Sequence, residues 1–374
     1  MLSPAERVRL LIGGQVHEDW ESYELDSDLL VPADGWQLSV GLPLGGPVPA
    51  ELSAGATIEL AIGDDTVLSG RIDEVSLRVA RGEHALTLSG RDGAAVLVDC
   101  SAPVFVAKLA TLEQIVAKVV RPLGLTKIRI DADATRTREK VNVEPGDSAW
   151  DVLARVSEAN GLWPWFEPDG TLVIGGPDYS KPPVAELILR FDGAENNVLS
   201  VEETRSIAER YSVVTVLGQA HGTITESGKN AEKASWTDEE MAAIQYRPKI
   251  VTDHECETQA LARDRARKLL SDSRLKGRTI RARVLGHRIV APGKPGDGLL
   301  WTPGQRLTLL SEPHGIDATF FLIGRRFSLG MHYGGVTELT LKEDGAWVLD
   351  AHPSKRRHRL GKNGLPDDFK EQAP

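Results

Sequence analysis

The sequence predicts a mainly β chain with an α+β insertion, in which two similar antiparallel β-barrel domains flank a small α+β domain. Three observations predict it. Short apolar stretches alternate with period two between turns rich in Gly and Asp, both early and late in the chain. Between about residues 111 and 160 the apolar period changes to that of helices. Strand-like segments of the first hundred residues then recur, in order, after Gly304.

The elements follow in chain order. Val8 to Ile12 is a short strand closed by the turn Gly13-Gly14. In Thr57–Ile62, residues Ile58, Leu60 and Ile62 share one face, and Gly63-Asp64-Asp65 turns the chain. Val75, Leu77 and Val79 alternate with Ser76 and Arg78; after Arg81-Gly82-Glu83, Leu86 and Leu88 continue the pattern. Thr111 with Gln114 forms a capping box for a helix whose apolar face is Leu112, Ile115, Val116, Val119 and Val120, ended by Pro122 and Gly124. A second helix starts near Asp147-Ser148, turns Trp150, Leu153 and Val156 inward and ends at Asn160-Gly161. A hairpin with Trp163 and Trp165 turns at Pro168-Asp169-Gly170 and returns through Thr171–Ile174.

Leu187–Leu189 and Val213–Leu217 read as strands, so the expected first barrel is 1–100 with 187–218, and 101–186 is an insertion. Residues 222–250 read as a polar loop. A third helix is expected from His254 to Leu270, capped by Thr252 and Glu255, with Ala262, Ala266, Leu269 and Leu270 on one face. Arg263, Arg265, Arg267 and Lys268 read as its solvated side, with a partner surface as the alternative. The second barrel, 219–350, adds strands at 280–284, 306–310, 320–323 and 337–341, and 351–374 is a basic flexible tail.

The duplication matches Gly55–Leu60 with Gly304–Leu309, Gly70-Arg71-Ile72 with Gly324-Arg325-Arg326, Val75–Leu77 with Phe327–Leu329 and Leu86–Leu88 with Leu339–Leu341. An Asp-Gly pair follows each copy, Asp92-Gly93 and Asp344-Gly345. Chance likeness of Gly-punctuated strands is the competing explanation. Two similar barrels per chain would let three chains around a three-fold axis form a ring of near six-fold symmetry.

Composition narrows the function. The 374 residues carry a net charge of -10, which disfavours general nucleic-acid binding. Two distant cysteines, Cys100 and Cys256, form neither a disulfide framework nor a metal cluster and read as thiols in a reducing compartment. The first residues lack the apolar core of a signal peptide, and no apolar run reaches the ~18 residues of a membrane span. The expected setting is a cytoplasm, without membrane insertion.

No catalytic, cofactor or metal motif is found. His254-Glu255-Cys256 are consecutive and cannot share one helix face, Gly293–Gly298 lacks the ending of a P-loop, and no Gly-x-Ser-x-Gly elbow occurs. The expected interface residues are Arg281 and Arg283, which alternate with Ile280, Ala282 and Val284, and Lys355, Arg356 and Arg357 of the tail. A lumen lining or an acidic partner is their functional reading, and a solvated sheet face the alternative.

Ordered segments across nearly the whole chain resemble the hub protein of Mu-type contractile phage tails. They are Gly70–Val75, Leu88–Asp92, Leu97–Cys100, Pro145–Leu153, Pro168–Leu172, Leu300–Gly304 and Thr337–Leu341. The resemblance, which extends to the upper part of type VI secretion spike proteins, implies a homotrimeric, non-enzymatic ring in the baseplate of the virion, assembled in the bacterial host cytoplasm. Its implied partners are the central spike, the tail tube, other baseplate proteins and the tape measure protein. Pro145–Leu153 also resembles the start of a LysM peptidoglycan-binding module, which makes the insertion a LysM-like α+β domain. Its second helix is missing here, and Trp150 reads as core. A peptidoglycan-binding tail module and a muralytic tail enzyme are the rival functions.

Overall fold

Alternating burial along Val8–Ile12 makes the first strand, β1, one face of a sheet that continues through most of the chain. The computed structural model describes residues 6–41, 48–81, 83–131, 138–158, 161–218, 233–253, 256, 259–330, 334–347 and 369–371. After β1 come β2 (Gln15–His17), β3 (Ser22–Asp28), β4 (Gly35–Gly41), β5 (Thr57–Ile62), β6 (Asp65–Ala80) and β7 (Glu83–Asp92). They pair antiparallel in the order β2-β1-β5-β6-β7-β4-β3.

The insertion contains α1 (Ala95–Asp99), β8 (Val106–Ala110), α2 (Leu112–Val120), β9 (Ile128–Ile130), β10 (Arg138–Asn142), α3 (Ala149–Glu158), β11 (Trp163–Phe166) and β12 (Leu172–Gly175). The Thr111 and Gln114 capping box is present, and all five expected apolar residues of α2 are buried. α2 and α3 close one core with Leu97, Leu162, Leu172 and Ile174.

The next strands are β13 (Ala185–Leu189), β14 (Ser200–Arg205) and β15 (Val213–Gly218). Their partners differ from the expected completion of the first barrel by 187–218. β13 runs parallel to β19 (Arg306–Ser311) and β14 antiparallel to β18 (Arg278–Leu285), both of the second barrel. Alternation reveals that a strand exists but not which edge it joins. β15 belongs to a further unit with β16 (Lys233–Asp238), α4 (Glu239–Ile244), β17 (Pro248–Asp253) and α5 (Gln259–Gly277). The polar loop expected over 222–250 therefore contains two strands and a short helix, while 219–232 and the pair His254-Glu255 lie outside the described residues. The expected apolar face of the third helix is met at Ala262, Ala266 and Leu270, all fully buried.

The second barrel is completed by β20 (Ile316–Gly330) and β21 (Gly334–Glu343), and β22 (Phe369–Glu371) adds to β16. The duplication is visible strand by strand: β3-β4-β7-β6-β5 and β14-β18-β21-β20-β19 are joined in the same order. The β6–β7 register slips between Ile72 and Glu74, and the β20–β21 register slips between Leu322 and Gly324. Gly55 N–H donates to Ile72 O as Gly304 N–H donates to Leu322 O. The structural counterpart of Gly324 is thus Glu74, not Gly70 as the sequence match suggests. Shared glycines drew that match, whereas the bulge fixes the equivalence.

Gly70 and Gly90 have a local reason instead. A Cβ on Gly90 would lie 2.0 Å from Arg71 O and 2.8 Å from the Trp36 ring, and one on Gly70 would lie 2.1 Å from Arg91 O. The strands beside the first bulge approach closely only because neither residue has a side chain. The two barrels are fused: β3 of the first pairs antiparallel with the second half of β20, from Gly324 opposite Asp28 to Ser328 opposite Glu24. One hydrophobic core, from Val8 to Leu341, fills both.

Candidate interaction surfaces

Of the expected interface residues, Arg281 and Arg283 lie as alternation requires, exposed on β18 while Ile280, Ala282 and Val284 are buried. Arg281 stands opposite Glu202 of β14, and Arg283 opposite Glu338 of β21. Glu338 is in turn opposite Arg326, which is opposite Asp26 and bonds it at 2.8 Å. Charge therefore alternates across four strands on the solvent face of the sheet, a pattern that stabilises each pair modestly and leaves no block of one sign. Lys355, Arg356 and Arg357 lie outside the described residues.

Beneath this sheet sits a polar junction with no sequence signature. Arg325 is buried, its guanidinium 3.8 Å from the centre of the Phe327 ring, and burial lowers its pKa to about 10. Asp34 and Asp92 lie nearby. Burial, assisted by Asp34, raises Asp92 to about 8; burial raises Asp34 to about 6. Both, with Arg325, Trp165 and Phe166, line a cleft of about 380 Å³ between the barrels and the insertion. On the same core, Tyr23 Oη and His287 Nε2 are 2.8 Å apart and His287 Nδ1 is 3.1 Å from Thr337 Oγ1. Burial, then Arg325 and Arg288, depress His287 to about 3, so the ring is neutral. Burial likewise pushes the Tyr23 hydroxyl up. The network satisfies buried polar groups where β3, β18's end and β21 meet, and so specifies the fusion of the barrels.

Two aromatics of the insertion pack against each other. Trp150 is buried and meets Trp163 edge-on, with centroids 6.5 Å apart. Trp163 Nε1 donates to Leu29 O at 2.6 Å, which ties the insertion to the loop after β3. Neither ring offers an open stacking platform for a sugar.

Part of the expected solvated face of the third helix is buried. Lys268 is 4% exposed and binds Asp272 at 2.7 Å and Glu158 of α3 at 3.1 Å. Burial alone would lower its pKa, but the two carboxylates hold it above the usual lysine value. Arg265 reaches the same Glu158 at 3.3 Å. These contacts lock α5 to the insertion. The i,i+4 spacing of Lys268 and Asp272 was the available signal, and only tertiary packing adds Glu158. Among the described residues no cluster of metal-ligating side chains is present, and no helix is long and apolar enough to cross a membrane.

Comparison with known proteins accounts for this architecture. Four family models match consecutive parts of the chain. They are a Mu phage baseplate assembly protein GpP-like N-terminal domain over 7–92 and a baseplate hub protein gp44-like second domain over 94–176. A tail protein NMB1110-like third domain follows over 210–270, and a tail protein C-terminal domain over 272–346. The crystal structure of the tail protein from Neisseria meningitidis MC58 is 38% identical, covers 93% of this chain and 99% of its own, and superposes with a TM-score of 0.81. The chain belongs to the Mu-type family of phage tail baseplate hub proteins. The baseplate hub protein gp44 of Escherichia phage Mu is 25% identical over 98% of this chain and 97% of its own length. The 43 kDa tail protein of prophage MuSo2 from Shewanella oneidensis shares the fold at 23% identity, covering 91% of this chain and 100% of its own, with a TM-score of 0.78. The hub-family chain is accordingly a baseplate component of a Mu-like phage tail.

Proposed function

We propose that this hub protein is a non-enzymatic structural subunit. Three copies close into a ring of near six-fold symmetry that joins the hexameric tube of a contractile tail to the trimeric central spike. The duplication of β3-β4-β7-β6-β5 in β14-β18-β21-β20-β19 carries the reading. A subunit with two equivalent barrels offers six similar positions in a trimer, as a tube-to-spike adaptor requires. The face bearing Arg281 and Arg283 lines the channel, and its alternating charges suit passage better than capture of a polyanion. Lys355, Arg356 and Arg357 form a docking segment for a neighbouring tail component; the spike, the tube, other baseplate proteins and the tape measure protein are the partners. The ring works in the virion and assembles in the bacterial host cytoplasm. Glycan binding gains no support from Trp150 and Trp163, which pack against each other. Multi-angle light scattering of the purified chain over a range of concentrations tests the ring. A mass of three chains is expected, and a monomer at every concentration would refute it.

A further inference from the structure

The cleft that holds Asp34, Asp92 and Arg325 continues past the junction. A second cavity of about 460 Å³ adjoins it, and Leu29, Trp165, Glu167, Thr302 and Pro303 border both. One groove therefore runs between the barrels and the insertion. Its walls are tied together where Ser69 Oγ donates to Pro168 O at 2.8 Å and Trp163 Nε1 donates to Leu29 O. Along the rim the charges are matched. Arg129 bonds Glu167 at 2.9 Å and Asp131 at 3.3 Å, Arg306 bonds Asp344, and the Asp169 carboxylate accepts from Thr171 N–H and Oγ1 at 2.9 Å. At the deep end two carboxylates, Asp34 and Asp92, meet one guanidinium, Arg325. Full ionisation there leaves one negative charge uncompensated, and burial answers by keeping a proton on Asp92. Arg325 Nε, in turn, is buried and has no hydrogen-bond partner among the described residues, which is costly for a donor. The deep end is thus one cation and one carbonyl short. Trp165 and Phe166 wall it, and aromatic faces attract a desolvated cation.

We infer that the basic segment Lys355–Arg359 seats in this groove of its own chain, with one of its cations between Asp34 and Asp92 beside Trp165, and a backbone carbonyl on Arg325. The segment lies outside the described residues, but its attachment points to the groove. Trp347, from which it departs, borders the second cavity. Eight residues lead from Trp347 to Lys355 and reach about 26 Å when extended, well beyond the span of compact cavities of this size. Ten more lead from Arg359 to Phe369, where β22 pairs with β16, so the segment is tethered at both ends. A tether turns docking into an intramolecular event and raises the effective concentration of the segment at the groove. Lys355, Arg356, Arg357 and Arg359 place four cations where the deep end lacks one. The inference goes beyond the docking role proposed above, because that role concerns a second component and this seat is on the chain itself.

Disulfide trapping in the full chain tests the seat. Ser354→Cys, directly before the segment, is combined with Thr302→Cys, exposed on the border of both cavities, in a Cys100→Ser background. An intrachain link is expected, seen as a reducible shift of the one-chain band on a gel. Ser354→Cys with Ser200→Cys, exposed on β14, is expected to link at least tenfold more slowly. Adding Lys355→Ser, Arg356→Ser, Arg357→Ser and Arg359→Ser, none of which belongs to a described core, is expected to slow the Thr302 link at least tenfold. Asp34→Asn with Asp92→Asn is expected to slow it as much, with an unchanged circular dichroism spectrum. Equal rates at Thr302 and Ser200, or a Thr302 link that survives loss of the four cations, overturn the seat and leave docking of the tail on another component standing. A link lost with the cations but kept in the folded Asn variant overturns the placing of a cation between Asp34 and Asp92. Links between two chains in place of one overturn the seat on the chain itself.

Discussion

Replacing Phe327 by Ala probes the fusion of the two barrels. Phe327 is fully buried on β20, opposite Leu25 of β3. Its ring lies 3.8 Å from the Arg325 guanidinium and 4.6 Å from the centre of the His287 ring. Truncating a buried phenylalanine costs about 3–5 kcal/mol, through lost transfer energy and the cavity left behind. The desolvated cation–π contact adds about 1 kcal/mol, so the upper part of that range is expected. Phe327→Leu keeps most of the volume and should cost about 1–2 kcal/mol. A chain with several separate cores need not unfold in one step, so the suitable assay is hydrogen exchange of peptides from β3 and β20. Protection there should fall about 1000-fold in Phe327→Ala, since each 1.4 kcal/mol is a factor of ten. A fall of less than tenfold would refute the claim that this ring holds the junction. Leu77, the counterpart of Phe327, is half exposed, and Leu77→Ala should change protection in the separated chain by less than about 0.5 kcal/mol.

Other expectations follow from the buried charges. His287, held near 3 in the fold, takes up its proton in the unfolded chain near 6.5; stability should decline as pH falls from about 6.5 toward 3, and His287→Gln should flatten that arm in a thermal-melt series. Asp92, raised to about 8, stays protonated in the fold while the unfolded chain ionises near 4, so stability should decline as pH rises from about 4 to 8. Asp92→Asn keeps the acceptor for Ala94 N–H and should flatten the alkaline arm; parallel melting profiles for variant and parent would count against it. Glu158→Ala removes one of two carboxylates on buried Lys268 and should cost about 1–2 kcal/mol, less than stripping a buried ion of all partners, read as faster exchange in α3 and α5. Trp163→Phe loses the donor to Leu29 O and should cost about 1 kcal/mol with no change in peptidoglycan pull-down, where a specific loss of binding would revive the glycan reading.

The sequence by itself determined the local elements. The alternation in Val8–Ile12 and Thr57–Ile62, the Thr111–Gln114 box and the inward Trp150 are properties of a few consecutive residues, and each is present in the structure. The same alternation makes Arg281 and Arg283 solvent-facing. The family was legible in ordered motifs such as Leu88–Asp92, whose Gly90 permits a close strand approach. Tertiary structure alone decided which edges meet. β13 and β14 look like any alternating strands, and their placement in the second barrel depends on hydrogen bonds to β19 and β18, far along the chain. The true alignment of the repeat lay in two bulges, which are features of pairing and not of residue identity. The burial of Lys268 beside Glu158, and of His287 between Tyr23 and Thr337, depended on the same long-range closure. Residue spacing along a chain sets which side of an element is apolar, but only the folded sheet sets what that side, or a bare edge, is laid against.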